Sequence, residues 1–79
     1  MAERILLTDL RDGETATIIE ILGGRGIQNR LQALGMRQGV KVTRISGAFA
    51  RGPAVLKVGQ TQTALGFGVC RKIMVEADR

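Results

Sequence analysis

Apolar residues follow two different spacings along this chain, and together they predict a mainly β structure with one helix. Five segments combine β-branched or alternating apolar residues with turn residues at their ends, which is typical of short strands. They span residues 15–21, 40–46, 54–58, 61–65 and 73–75. Strands this short and closely spaced favour a small barrel, because closure hides the edges of a sheet. We therefore expect a five-stranded, partly open barrel.

One segment has the spacing of a helix instead. Ile27, Leu31 and Leu34 are separated by four and then three residues, which places them on one side of a helix. Gly35 follows directly and is the residue expected to end the helix in a left-handed conformation. The pattern predicts one short α-helix whose Leu31 and Leu34 side chains lie in the core.

Several interruptions of these patterns predict turns or irregular backbone. Alternation in 40–46 breaks at Arg44 and Ile45, which indicates a bulge or a change of face. Residues 7–10 predict a short turn, residues 66–70 an irregular or helical turn, and residues 47–53 a loop.

The length of 79 residues allows a single domain, so we assign residues 1–79 to one folding unit. Cys70 is the only cysteine and there is no histidine, so neither an intrachain disulfide nor a histidine metal site can stabilise the fold. A solitary cysteine is typical of a reducing compartment, and we expect a cytoplasmic protein. No apolar run is long enough for a membrane span or a signal peptide.

Charge is strongly segregated along the chain. Residues 1–20 contain five acidic and two basic residues, whereas residues 21–75 contain nine basic residues and no acidic one. A cationic region without acidic partners attracts anions, whether nucleic acid, an anionic membrane surface or an acidic protein surface. The alternative is that these are ordinary solvated surface charges.

The same acid-free stretch excludes most catalytic and metal chemistry. Metal sites use His, Cys, Asp and Glu, and over these 55 residues only Cys70 is of those types. Ser46 and Cys70 have no histidine to activate them as nucleophiles. Arg71 and Lys72 could lower the pKa of Cys70, but free cysteines are usually buried, and we interpret it as a core residue. We therefore expect a protein that is not an enzyme and that binds neither a metal ion nor a cofactor.

A glycine cluster between the first strand and the helix invites comparison with phosphate-binding loops. Gly24 and Gly26 are followed by Asn29 where the dinucleotide fingerprint needs a third glycine, and no acidic residue follows about 20 positions later. A Walker loop would need Lys and Ser or Thr after the last glycine. We interpret the cluster as a sharp reversal with a positive φ.

These segments together resemble the FeoA family of ferrous iron transport proteins. The resemblance is carried by an ordered series of short matches over almost the whole chain. They are Leu7, Leu10, Gly13-Glu14, Gly23 to Ile27, Arg30-Leu31, Leu34 to Met36, Gly39-Val40, Val42, Gly52-Pro53, Val55, Val58, Ala64-Leu65, Ile73 and Val75. The resemblance implies an SH3-like barrel that serves FeoB, a membrane permease with a cytoplasmic GTP-binding domain. It also implies a protein in the cytoplasm, which reaches the inner face of the membrane only through that partner.

A chain without metal ligands would serve iron transport by binding another protein rather than by carrying iron. We expect the contacts to come from basic residues on and after the helix, because the arginine fork pairs with carboxylates in two bonds at once. The predicted partner-binding residues are Arg25, Arg30, Arg37, Lys41 and Arg44. Weak self-association is left open, and membrane insertion is not expected.

Two other interpretations have specific weaknesses. Nucleic-acid binding is suggested by the sequence pI near 10.7, but single-strand binders stack bases on aromatic side chains. Phe49 and Phe67 are the only aromatic residues, which also argues against the aromatic groove of a polyproline-binding SH3 domain. The second alternative is a regulatory module of an iron-dependent repressor system, because the resemblance implies a fold that also occurs in those repressors.

Overall fold

All five predicted strands are present in the computed structural model, which describes residues 2–46 and 53–78. The elements are β1 (Glu3–Leu6), a 3-10 turn (Leu7–Asp9), β2 (Thr15–Ile21), α1 (Arg25–Ala33), β3 (Lys41–Ser46), β4 (Ala54–Val58), β5 (Thr61–Leu65), the single turn α2 (Phe67–Cys70) and β6 (Ile73–Ala77). The loop predicted over residues 47–53 lies outside the described residues except for Pro53. The predicted turns at 7–10 and 66–70 are confirmed.

The described strands form one antiparallel sheet in the order β1-β6-β2-β3-β4-β5. The mainly β prediction is confirmed, but the number of strands is six rather than five. The sixth is β1, whose residues Arg4 and Ile5 lie opposite Glu76 and Val75 of β6. Four residues are too few to show alternation, so this strand is defined by its pairing with the far end of the chain.

The sheet bends at two register shifts. One lies between Ile18 and Glu20 where β2 pairs with β6. The other lies between Arg44 and Ser46 where β3 pairs with β4, which confirms the irregularity predicted from the broken alternation. A bulge changes strand direction and re-aims a side chain, and here the re-aimed region contains Arg44.

Helix α1 connects β2 to β3 along the chain, and one fully buried residue anchors it to the core. Leu31 has no exposed surface, and Ile27 packs partly buried against the core. The helix ends at Ala33, and Gly35 has a φ of +83°, which confirms the predicted left-handed stop.

The core prediction for Leu34 is wrong, because its side chain is 39% exposed. Leu34 is the residue after the last helical turn, with φ −89° and ψ 3°. Its position is therefore no longer set by the helical period that carries Ile27 and Leu31 inward. The helix rests on its first two apolar residues alone.

The core is apolar throughout, with no buried polar or charged side chain among the described residues. Each described strand from β2 to β6 contributes to it, as do the 3-10 turn and both helices. The largest fully buried side chains are Leu7, Leu10, Ile18, Leu31, Met36, Val42, Leu56, Cys70, Ile73 and Val75. This interior holds α1 in place and leaves its polar side chains to solvent.

Candidate functional site

The reversal from β2 into α1 is built on Gly23. Its φ is +113°, and a Cβ added there would lie 2.8 Å from Cγ2 of Ile27. Backbone conformation and close packing thus both require glycine, which confirms the geometric interpretation of the cluster. Gly24 caps the helix without a side-chain hydrogen bond, and the Gln28 side chain donates from Nε2 to the Gly23 carbonyl at 3.2 Å.

Four of the five predicted partner-binding residues are exposed. Arg25 and Arg30 lie on α1, Arg37 lies between α1 and β3, and Lys41 begins β3. We call them the four exposed cations. None takes part in an ion pair within residues 2–46 and 53–78. Their charges are therefore available to an external anion, and their contact with a partner stays a prediction.

Arg44, the fifth predicted residue, is used inside the fold. Its side chain is 12% exposed, with Nε 3.2 Å from a carboxylate oxygen of Asp12. Its Nη1 donates to the Leu10 carbonyl. Main-chain bonds join Arg44 to the same turn: Gly13 N donates to Arg44 O at 2.6 Å, and Arg44 N donates to Glu14 O at 2.9 Å. Arg44 therefore ties the turn at residues 10–14 to β3.

A polar groove of about 310 Å³ runs beside α1. Its lining residues are Glu20, Ile21, Gln28, Gln32, Arg37 and Gln38. Of the residues predicted from sequence, only Arg37 lies here. The others were missed, although the four-residue spacing of Gln28 and Gln32 could have shown that they share one face of the helix. The groove combines opposite charges with three side-chain amides.

Cys70 is buried at the end of α2, which confirms its assignment to the core. Its Sγ lies 3.7 Å from the Leu65 carbonyl. Burial raises the pKa of the thiol from 9.0 to about 11, and the positive charge of Arg44 opposes this rise. The alternative of a thiol activated by Arg71 and Lys72 is therefore wrong, because removal from water outweighs the neighbouring positive charge.

Neither a metal centre nor a membrane span is found in the described part of the chain. No three His, Cys, Asp or Glu side chains among these residues lie close enough to hold a metal ion. The longest helix there is α1 with nine residues, and none is long and apolar enough to cross a membrane.

Comparison with solved structures identifies the fold. An iron uptake regulatory protein (FeoA) superposes with a TM-score of 0.87 at 24% identity, covering 95% of this chain and 97% of that one. The FeoA of Stenotrophomonas maltophilia, a prokaryotic SH3 domain protein complexed with zinc, has a TM-score of 0.78 at 24% identity, covering 90% and 88%. A manganese-dependent transcriptional repressor has a TM-score of 0.87 at 17% identity, covering 98% of this chain and 43% of its own. The barrel is thus SH3-like, as expected.

Comparison of the sequence with protein families identifies the family. No curated protein matches the sequence. The model of the FeoA domain matches residues 5–77, which includes every element from β2 to β6 and the second half of β1. The chain belongs to the FeoA domain family, which is linked to ferrous iron transport.

Proposed function

We propose that this protein is a non-enzymatic accessory protein of bacterial ferrous iron transport, which binds and modulates the cytoplasmic GTP-binding part of a FeoB permease. The observation that carries the proposal is the set of four exposed cations on a FeoA domain. Arg25, Arg30, Arg37 and Lys41 have no internal acidic partners in the described part of the chain. The Stenotrophomonas protein is described as a possible activating factor of ferrous iron transport.

Protein binding explains these side chains better than iron carriage does. Ferrous iron prefers oxygen, nitrogen or sulfur ligands gathered in one place, and the described residues contain no such group. Exposed arginines instead provide planar forks that match carboxylates on another protein. Because the GTP-binding part of the permease is cytoplasmic, we place the protein in the cytoplasm, at the inner face of the membrane when it is bound.

The proposal is tested by reversing two charges on the helix. The double variant Arg25→Glu, Arg30→Glu should impair ferrous iron uptake in cells and weaken binding to the purified GTP-binding part of the permease. Both side chains are exposed, so the free energy of unfolding should change by less than about 0.5 kcal/mol. Thermal melting of the variant checks that the fold is intact. Unchanged uptake and unchanged binding in a folded variant would contradict the proposal.

Metal titration provides the second test. Purified protein mixed with ferrous iron under anaerobic conditions should show no stoichiometric binding at micromolar affinity or tighter. The physical reason is that no cluster of metal-ligating side chains is found among the described residues. A tight one-to-one iron site measured by calorimetry would instead make this protein a carrier.

A role in nucleic-acid binding or in an iron-dependent repressor system is the alternative, supported by the shared fold of the manganese-dependent repressor. The same double variant discriminates between the two functions. Normal iron uptake, combined with a steep loss of binding to nucleic acid at physiological salt, would favour the alternative, because phosphate contacts dominate such affinity.

A further inference from the structure

The groove beside α1 contains two opposite charges that do not neutralise each other. Glu20 lies near the end of β2 and Arg37 lies after α1, and both line the groove. Neither takes part in an ion pair in the part of the chain that the structure describes. Each charge is therefore free to meet an opposite charge on one bound molecule.

Two glutamines of the groove are held in place by the main chain. Nε2 of Gln38 donates to the Ile19 carbonyl at 2.8 Å, and Nε2 of Gln28 donates to the Gly23 carbonyl at 3.2 Å. Each amide therefore uses a donor internally and retains its carbonyl oxygen as an acceptor. Gln32 lies one helical turn after Gln28 and lines the same groove. The groove is thus lined by amide acceptors, two of them held in place, as well as by the two charges.

We propose that this groove binds an extended polypeptide segment of the partner protein, with an acidic side chain on Arg37 and a basic side chain on Glu20. An extended segment has main-chain N–H groups that need acceptors, and the glutamine oxygens supply them. The inference rests on the proposed function and adds to it the site and the chemistry of the contact. Ile21, half-buried against the core, contributes apolar contact area.

The carboxylate of Glu20 distinguishes this groove from a phosphate site. A nucleic-acid backbone or phospholipid headgroup brought to Arg37 would also meet Glu20, and like charges repel. A segment carrying both signs of charge has no such conflict, and its orientation is set by which charge meets which residue. The volume of about 310 Å³ is at the small end of ligand sites, so it suits a few residues of a partner rather than a whole domain.

A charge swap tests this inference without changing the net charge of the protein. The double variant Glu20→Arg, Arg37→Glu keeps the net charge of +5 but places each charge against its own sign on the segment. Affinity for the purified GTP-binding part of the permease, measured by calorimetry, should fall roughly tenfold or more. The matched control swaps the exposed pair Arg4 and Glu76, which lies across β1 and β6, and should leave affinity unchanged.

The outcomes separate the inference from the proposed function. If the groove swap binds normally while Arg25→Glu, Arg30→Glu does not, the inference is overturned and the proposed function stands. If the wild type does not bind the permease domain at all, the proposed function fails. Whether the groove binds a polypeptide segment is then tested by titration with short peptides. Dimerisation of the wild type that the groove swap abolishes would assign the groove to a second copy and overturn the inference.

Capped six-residue peptides provide the independent probe. Each carries one Asp and one Lys separated by one, two or three glycines, and binding is followed by NMR of the side-chain amides of Gln28 and Gln32 and of Arg37 Nε–H. We expect saturable shifts with at least one spacing in the wild type and none in the single variant Arg37→Glu, whose groove has two negative charges. The groove swap is not used here, because a free peptide can bind it in the reverse orientation. Absence of shifts with every peptide, or equal shifts with free aspartate, would overturn the inference.

Discussion

Basic side chains occupy two contrasting environments within the acid-free stretch of this chain. At the corner between residues 10–14 and β3, Arg44 bonds to the Leu10 carbonyl and lies against Asp12, with little of its side chain in water. Along α1 and the residues after it, Arg25, Arg30 and Arg37 are exposed and form no ion pair within the described ranges. Residues of identical type thus differ in what they contact.

This difference separates stability from recognition. A side chain whose donors are bound within the fold contributes to the free energy of unfolding, and its removal leaves acceptors without partners. An exposed, unpaired charge contributes little to stability and retains its full capacity for an external carboxylate. We therefore expect substitution of Arg44, where residues 10–14 meet β3, to lower stability. Substitution of the four exposed cations should instead lower the affinity for the proposed partner.

The largest effect should come from the residue that holds α1 on the barrel. Leu31→Ala empties a fully buried site and should cost about 2 to 5 kcal/mol of unfolding free energy, because the contacts are lost and the cavity fills only partly. Small domains have only about 5 to 15 kcal/mol in total, so the variant should melt far below the wild type. Gln32→Ala, at the next position and exposed, is the control. A Leu31→Ala variant as stable as the wild type would show that the exposed cations lie on an element held in some other way.

An intermediate effect is expected at the Arg44 corner. Arg44→Ala should lower the free energy of unfolding by about 1 to 3 kcal/mol, because a charged donor to the Leu10 carbonyl is lost. Arg37→Ala removes the same charge from an exposed position, so the comparison cancels the change in net charge. Chemical denaturation of both variants measures the difference. Equal free energies of unfolding for the two variants would show that Arg44 contributes no more to stability than an exposed arginine does.

The smallest effect should appear only in alkaline solution, at Cys70. Its pKa is raised from 9.0 to about 11 in the folded protein, so the folded state keeps a proton that the unfolded state releases. The resulting stability is complete below pH 9 and is lost as the pH rises towards about 11. Comparison of the wild type with Cys70→Ala across this range isolates the thiol. A difference between them that does not change with pH would contradict the burial of the thiol as the cause.

Local sequence patterns predicted most of the barrel. Residues 15–21, 54–58 and 61–65 form strands with the predicted bounds, since β-branched residues and flanking turn residues act over a few positions. The left-handed φ of Gly35 and the register shift at Arg44 were predicted for similar reasons. For the candidate site, the sequence predicted five partner-binding cations. Four of them are exposed, Arg44 is used inside the fold, and only Arg37 lies in the groove.

The sequence by itself therefore determined the class of fold, the family and the excess of positive charge. Residue types and short spacings were sufficient for the class of fold and the charge, and the ordered series of short matches indicated the family. Tertiary structure alone decided the remaining features. β1 exists because β6 lies beside it, and Leu34 is exposed because the helix ends one residue earlier. Arg44 turns inward because a segment about 30 residues away supplies Leu10 and Asp12. Such contacts depend on which distant residues the fold brings together, and a local pattern carries no information about them.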